Sequence, residues 1–559
     1  MLQFSQFAYT RLDFHDVASR YRQLIEKFSK ANTFAQANYY LIELDFLDRL
    51  FMQYSCISEA GNTANSYDEF YQKEEQFFGK VKPEASHLNK LRDQALLGSP
   101  FLEQFSVLFG KEPILRAKLA NMTISEQALP LMQKENELSQ EYSNIVSRLT
   151  VPDGNDCLSI PEAIRNGDSP EREVRLKYYE LIEHAYKQAG NQFDTLFDEM
   201  LKIRNEIAHS TGFVNYTDYC LAKHGRTDYG RKELNEFTDS VEKVLVPFVN
   251  SLYSDQAKRM NLPFLLSFDE RYDPDNKHVS VKEDYLKAFS KIFSQLSCET
   301  SVFFNELLSR KSYDLDLRQG KVQGGYSNYL PLFGMPYIFQ TYNATSGAVR
   351  TFAHECGHGL NSFLHRGEPL VHAWESSSDV SEVHSMSMEF FIWDYLEHII
   401  ERNDIESYIS DHLKQAISFI PYGVAINEFQ TIVYDDPSLN IEDRLEVWKT
   451  LEQRFLPWRH HGEHTFSAEG RTWQRQIHVM KWPFYYIDYA LAQTVALQFC
   501  QAYQNDHEKT FASYIEFINA SGKLPFTELV TESGLHSPFE RTTIDSIVAF
   551  AAETFKSLR

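Results

Sequence analysis

The first sixty residues contain no glycine and no proline, and a stretch that long without a breaker favours helix over any other regular structure. Val17, Tyr21, Leu24, Ile25 and Phe28 recur at helical spacing behind Asp13, a residue suited to capping a helix. The pattern continues to about residue 150. Residues 151–171, VPDGNDCLSIPEAIRNGDSPE, then gather proline, glycine, asparagine and aspartate and read as a boundary or a long surface loop. From Val174 a second long helical pattern runs to about His209. The whole chain of 559 residues holds 23 glycines and 19 prolines against 42 phenylalanines and 31 tyrosines, the balance of a helix-rich globular protein with room for two or more domains. The expected fold is mainly α, with an N-terminal helical region (1–172) followed by a larger region (173–559).

Charge and cysteine usage exclude several roles. A formal net charge of −23 argues against a nucleic-acid binder, whose affinity rests on a basic face. Six cysteines are scattered without a C-x-x-C pair, the usage of reduced cytosolic thiols. The opening MLQFSQFAYTRLDFHD has no apolar signal region. No apolar run reaches membrane-spanning length. The expectation is a soluble cytoplasmic protein with no nucleic-acid or membrane partner.

Residues 316–347 form a second break, with five glycines and a β-leaning run, Tyr337 to Tyr342. They read as loops with one or two short strands, a small β element in front of the next helix. An edge strand there can pair with an extended peptide. The helix that follows, Ser346 to His365, carries His354-Glu355-Cys356-Gly357-His358. Positions i and i+4 of a helix share a face, so His354 and His358 can bind one Zn²⁺, with Glu355 beside them to take a proton from the attacking water. The longer pattern with a third histidine needs Gly at 361 and His at 364; Asn361 and Leu364 stand there instead. A later glutamate is then the expected third ligand. In the helix predicted from about Ser378, Glu382, Met386, Glu389 and Trp393 share one face. Two glutamates beside Met and Trp need a cation or hydrogen-bond partners if they are buried. Glu382 is read as the ligand, Glu389 or Asp379 as orienting groups for the histidines, and Glu375 as the competing ligand. His460, His461 and His464 read as solvated loop histidines.

These segments resemble the thimet oligopeptidase and oligoendopeptidase F family of zinc peptidases, most closely its oligoendopeptidase F branch. Besides the His354–His358 motif, Ser381 through Glu389 is similar to the family block whose early glutamate completes the metal site. His478 through Tyr489 is similar to its His- and Tyr-rich catalytic segment, and Arg204–Ala208 with Gly212–Tyr216 is similar to its boundary helix and turn. Two positions depart from the family pattern, Asn361 in place of a histidine and Cys356 in place of a bulky apolar residue, which leaves thiol sensitivity near the site open. The resemblance implies two helical lobes around a deep substrate channel, with one zinc ion at its floor and region 173–559 as the catalytic domain. It also implies that His478, Tyr485 and Tyr489 assist catalysis, with Tyr489 the best candidate to stabilise the oxyanion and Tyr485 next. The expected activity is zinc-dependent cleavage of internal bonds in short oligopeptides. A zinc carboxypeptidase of related fold is the alternative, and a non-catalytic peptide-binding module is disfavoured by the intact His354, Glu355, His358 and Glu382.

Overall fold

Helices make up nearly all of the regular structure, as the scarcity of breakers predicts. The computed structural model describes residues 3–6, 9–154, 156–274, 279–371 and 375–558. In the first helix, Phe14–Ser29, the Asp13 side chain accepts from Asp16 N, and Val17, Tyr21 and Phe28 are buried. It packs with Phe34–Ala64 and Glu69–Leu97 around Leu44, Leu47, Phe78 and Leu88. The second long pattern is one helix, Arg172–Ser210. No helix among the described residues is long and apolar enough to cross a membrane.

Residues 151–171 are more ordered than their composition suggested. They form an antiparallel hairpin, β1 (Thr150–Asp153) and β2 (Asp156–Ser159), and then a short helix, Ile160–Asn166. Gly154 turns the hairpin with φ of 65°, and Ser159 and Glu162 form a capping box around Pro161 at the helix start. The loop-forming residue types are therefore turn and cap residues of a folded element. The largest apolar cluster includes Ile57, Leu138, Val151 and Ile160 as well as residues as far as Ala551, so packing is continuous across residue 172.

A small sheet stands before the motif helix, as expected, but with three strands where one or two were predicted. Its strands are β3 (Tyr313–Asp314), β4 (Gly325–Leu330) and β5 (Met335–Gln340), in the order β3-β5-β4. β5 is buried at every residue, runs parallel to β3 and antiparallel to β4, and leaves β4 at an edge. The strand begins at Met335 and not at Tyr337, because Pro336 is accommodated: its carbonyl accepts from Ser312 Oγ at 2.6 Å, and its missing N–H is not needed.

The motif helix, Ser346–Leu364, starts at once after the sheet, with the Thr345 hydroxyl accepting from Ala348 N at 3.2 Å. It packs on β4, on β5 and on the Glu382 helix, Ser378–Phe391. The Glu382 helix in turn packs against the tyrosine helix, Tyr486–Asn505. A long helix, Ile405–Asp435, closes the other side of the tyrosine helix.

Candidate active site

Gly357 is what allows the motif helix and the Glu382 helix to meet. A Cβ at that position would lie 2.6 Å from His384 O and 2.7 Å from Ser385 Cα, so only glycine permits this approach. The result brings Glu382 over the histidine pair. Its Oε2 is 3.4 Å from His354 Nε2 and 3.6 Å from His358 Nε2, and the two rings are 4.9 Å apart. One donor atom from each of the three lies within 4.8 Å of the others, and no other such group of His, Cys, Asp or Glu occurs among the described residues. Glu375 is not part of it. Two imidazoles and a carboxylate are a donor set that zinc takes.

The charges around the set fit a cation. Burial lowers the pKa of His354, but hydrogen bonds to Glu382 and Glu389 more than reverse this and hold it well above the ordinary imidazole value. Burial would raise Glu389, yet its bonds to His354 and His412 bring it down to about 2. His358, whose strongest influence is burial, is lowered to about 4 and so stays a neutral imidazole. Of the two orienting candidates, Glu389 reaches the site: its Oε1 accepts from His354 Nδ1 at 2.8 Å. Asp379 does not; it accepts from the Tyr229 hydroxyl at 2.6 Å and from Ser377.

Glu355 is 6% exposed. Burial raises its pKa to about 7, with the nearby Glu382 and Glu389 adding to the rise and His354 opposing it. Strand β4 comes close to it through Gly325, where a Cβ would lie 2.8 Å from Thr351 Cγ2 and 3.3 Å from Glu355 Oε1. The edge strand and the candidate base are thus adjacent.

The His478–Tyr489 segment faces the same centre. Tyr485 Oη donates to Glu382 Oε1 at 3.4 Å, and the Tyr485 and Tyr489 rings meet edge-on with centroids 5.3 Å apart. Both phenols titrate far above their ordinary value, chiefly through burial and then through Glu382, and so keep their protons. His478 stacks on Tyr485 at 5.8 Å, and burial lowers its pKa to about 4. The turn before Tyr485 is strained, because Phe484 has φ of 64°, a region that bulky residues avoid. Three side chains hold it there. His224 Nε2 donates to Pro483 O at 2.9 Å, Arg226 Nη2 to Phe484 O at 2.6 Å, and Gln430 Oε1 accepts from Phe484 N at 3.0 Å. Arg226 also pairs with Asp488 at 2.8 Å. Buried Arg204 donates to Val479 O and Met480 O and pairs with Glu135 at 2.7 Å.

Sequence reasoning missed His224, Arg226, Gln430 and His412. One other expectation needs correction. His460 and His464 are exposed, but His461 is packed, with Nε2 3.3 Å from a Glu452 carboxylate oxygen. Cys356 is fully buried and burial pushes its thiol far up, which makes it unreactive at neutral pH.

The fold and the site are those of a helical metallopeptidase. The chain belongs to peptidase family M3, whose model matches residues 167–548, and the peptidase M3 N-terminal domain model matches residues 4–124. Pz peptidase A, solved with an inhibitor, superposes with a TM-score of 0.92 at 30% identity, covering 99% of each chain. A crystal structure assigned to an oligoendopeptidase F gives the same TM-score and identity, covering 100% of this chain and 99% of that one. The oligopeptidase PepF of Bacillus subtilis (strain 168) is 21% identical over 435 residues, 74% of this chain; the match spans 63% of that protein's length.

Proposed function

We infer that the chain is a zinc-dependent endopeptidase that hydrolyses internal bonds of short oligopeptides. The observation that carries this reading is the convergence of His354, His358 and Glu382 beside buried Glu355 and the Tyr485–Tyr489 pair. His354, His358 and Glu382 would hold one ion. Bound there, Zn²⁺ polarises a peptide carbonyl and acidifies a water. Glu355 takes the proton of the attacking water and passes it to the leaving amine. The tyrosine pair donates to the oxygen that becomes an oxyanion. Tyr489 is favoured over Tyr485 for this, since Tyr485 already donates its proton to Glu382 and Tyr489 has its own free for the substrate. His478 keeps the Tyr485 ring in place by stacking.

The edge of β4 next to Glu355 suits an extended peptide backbone. Region 173–559 supplies every residue of this chemistry. The N-terminal region 1–172 walls the approach, a role supported by the helix Phe34–Ala64. Thr63 meets the Tyr326 hydroxyl at 2.7 Å, Glu59 accepts from Asn328 at 2.9 Å, and Gln53 accepts from Leu332 N at 3.0 Å. A channel closed in this way admits flexible peptides and excludes folded proteins. Six free cysteines support a reducing, cytoplasmic location.

Peptides of graded length, each with a free and an amidated C-terminus, test the reading. Internal cleavage of both forms, with a sharp upper length limit and a native globular protein left intact, is expected. Removal of single C-terminal residues from the free form alone would make the chain a carboxypeptidase instead.

A further inference from the structure

We propose that Trp393 and His412 are positioning residues that set the tautomer of His354, and so the direction of its metal-binding lone pair. The proposal rests on the reading that His354 binds an ion. Its basis is a hydrogen-bonded chain of four side chains with only one consistent polarity. Trp393 Nε1 lies 2.9 Å from His412 Nδ1. An indole N–H can only donate, so His412 Nδ1 accepts and the ring proton of neutral His412 sits on Nε2. That nitrogen is 3.1 Å from Glu389 Oε2, where a carboxylate accepts. The other Glu389 oxygen, Oε1, is 2.8 Å from His354 Nδ1, which must then carry the proton. Once ion binding has displaced the second proton, the His354 Nε2 lone pair faces Glu382 and the ion position.

The chain is rigid as well as directional. His412 is 3% exposed and Trp393 5%. The His412 ring stacks on Phe390 at 4.6 Å with 8° between planes, and Trp393 stands edge-on to it at 5.5 Å. The four residues come from the motif helix, the Glu382 helix with the turn after it, and the long helix Ile405–Asp435. Their alignment therefore depends on three elements being packed together. Removing the indole N–H would free His412 to take the other tautomer, in which an imidazole lone pair faces the Glu389 carboxylate. Glu389 would then have no partner on that side and could turn away from His354. A buried histidine with a purely structural role predicts no such dependence on Trp393.

The test is the zinc dissociation constant, measured by competition with a chromophoric chelator, for the parent and for His412→Phe, His412→Gln and Trp393→Phe. Circular dichroism and the thermal midpoint of each apo protein report folding. His412→Phe keeps the aromatic stack and removes the donor, and should weaken zinc binding by about 10- to 100-fold. His412→Gln, whose amide can donate to Glu389, should recover most of that loss. Trp393→Phe should weaken binding in the same direction by a smaller factor, although the Trp393 indole N–H bonds His412 and neither Glu389 nor His354. Parental affinity in Trp393→Phe, or a His412→Gln variant no better than His412→Phe, would overturn the proposal. Should His412→Phe not fold, Trp393→Phe decides alone. A parent that binds no zinc in the same assay would instead refute the metallopeptidase reading itself.

Discussion

Gly357→Ala adds one methyl group at the contact between the motif helix and the Glu382 helix, and its effect follows from the geometry there. The new Cβ would lie 2.6 Å from His384 O, 2.7 Å from Ser385 Cα and 3.0 Å from the His384 carbonyl carbon. These are backbone atoms of a buried helix, so no side-chain rotation relieves the clash and the helices must part. Helix propensity acts in the opposite direction, because alanine is better than glycine in a helix interior by about 0.8–1 kcal/mol. Overpacking costs about 1–3 kcal/mol, and with backbone on both sides the upper half of that range applies. The net loss is about 1–2 kcal/mol. Gly79 supplies the control, since it is exposed on the helix Glu69–Leu97 with nothing within 4 Å of its would-be Cβ; Gly79→Ala should gain the full propensity term. Calorimetric midpoints should therefore move in opposite directions for the two variants. Parting the helices also draws Glu382 from His354 and His358, so Gly357→Ala should bind zinc about tenfold more weakly or worse. A Gly357→Ala protein with the parent's midpoint and zinc affinity would refute the claim that this contact sets the ligand geometry.

Tyr489→Phe should lower kcat by about 10²- to 10³-fold with little change in KM, because it deletes only a transition-state donor; a near-normal kcat in steady-state kinetics would return Tyr489 to a packing role. Glu382→Gln should lose both zinc and activity while Glu375→Gln keeps most of each, as read by elemental analysis of dialysed protein and a fluorogenic peptide assay. Arg226→Lys keeps a charge near Asp488, but its side chain is shorter than the one whose Nη2 reaches both Asp488 and Phe484 O, so kcat should fall with zinc content unchanged; an unaltered kcat would mean that the strained turn holds itself. Cys356 should resist thiol reagents in the folded protein and react only after denaturation, checked by mass spectrometry of the labelled chain.

Much of this site was legible because its residues obey short-range rules. His354 and His358 are one helical turn apart, and Glu382 and Glu389 stand out as carboxylates on a face shared with Met386 and Trp393. The helices Phe14–Ser29 and Arg172–Ser210 were legible for the same reason, through apolar periodicity and the lack of breakers. The hairpin Thr150–Ser159 was hidden because Pro152, Asp153 and Gly154 belong equally to loops and to tight turns, and only pairing across the turn distinguishes them. His412 was hidden for another reason: it is one polar residue on a long apolar helix, and its role comes from Trp393 and Glu389, each about twenty residues away in sequence. The clamp on the tyrosine segment is longer in range still. His224 and Arg226 meet Pro483 and Phe484 across more than 250 residues, and a phenylalanine at positive φ leaves no mark in sequence of the kind a glycine would.

Stoichiometric metal titration of the apo protein tests the central claim most directly. The chain, stripped with a chelator and dialysed, should cleave no end-blocked fluorogenic peptide. Adding Zn²⁺ should restore internal cleavage in a linear rise that breaks at one equivalent per chain, and His358→Ala should show no such break. Full cleavage by the stripped protein, or a rise that ignores His358, would contradict the account.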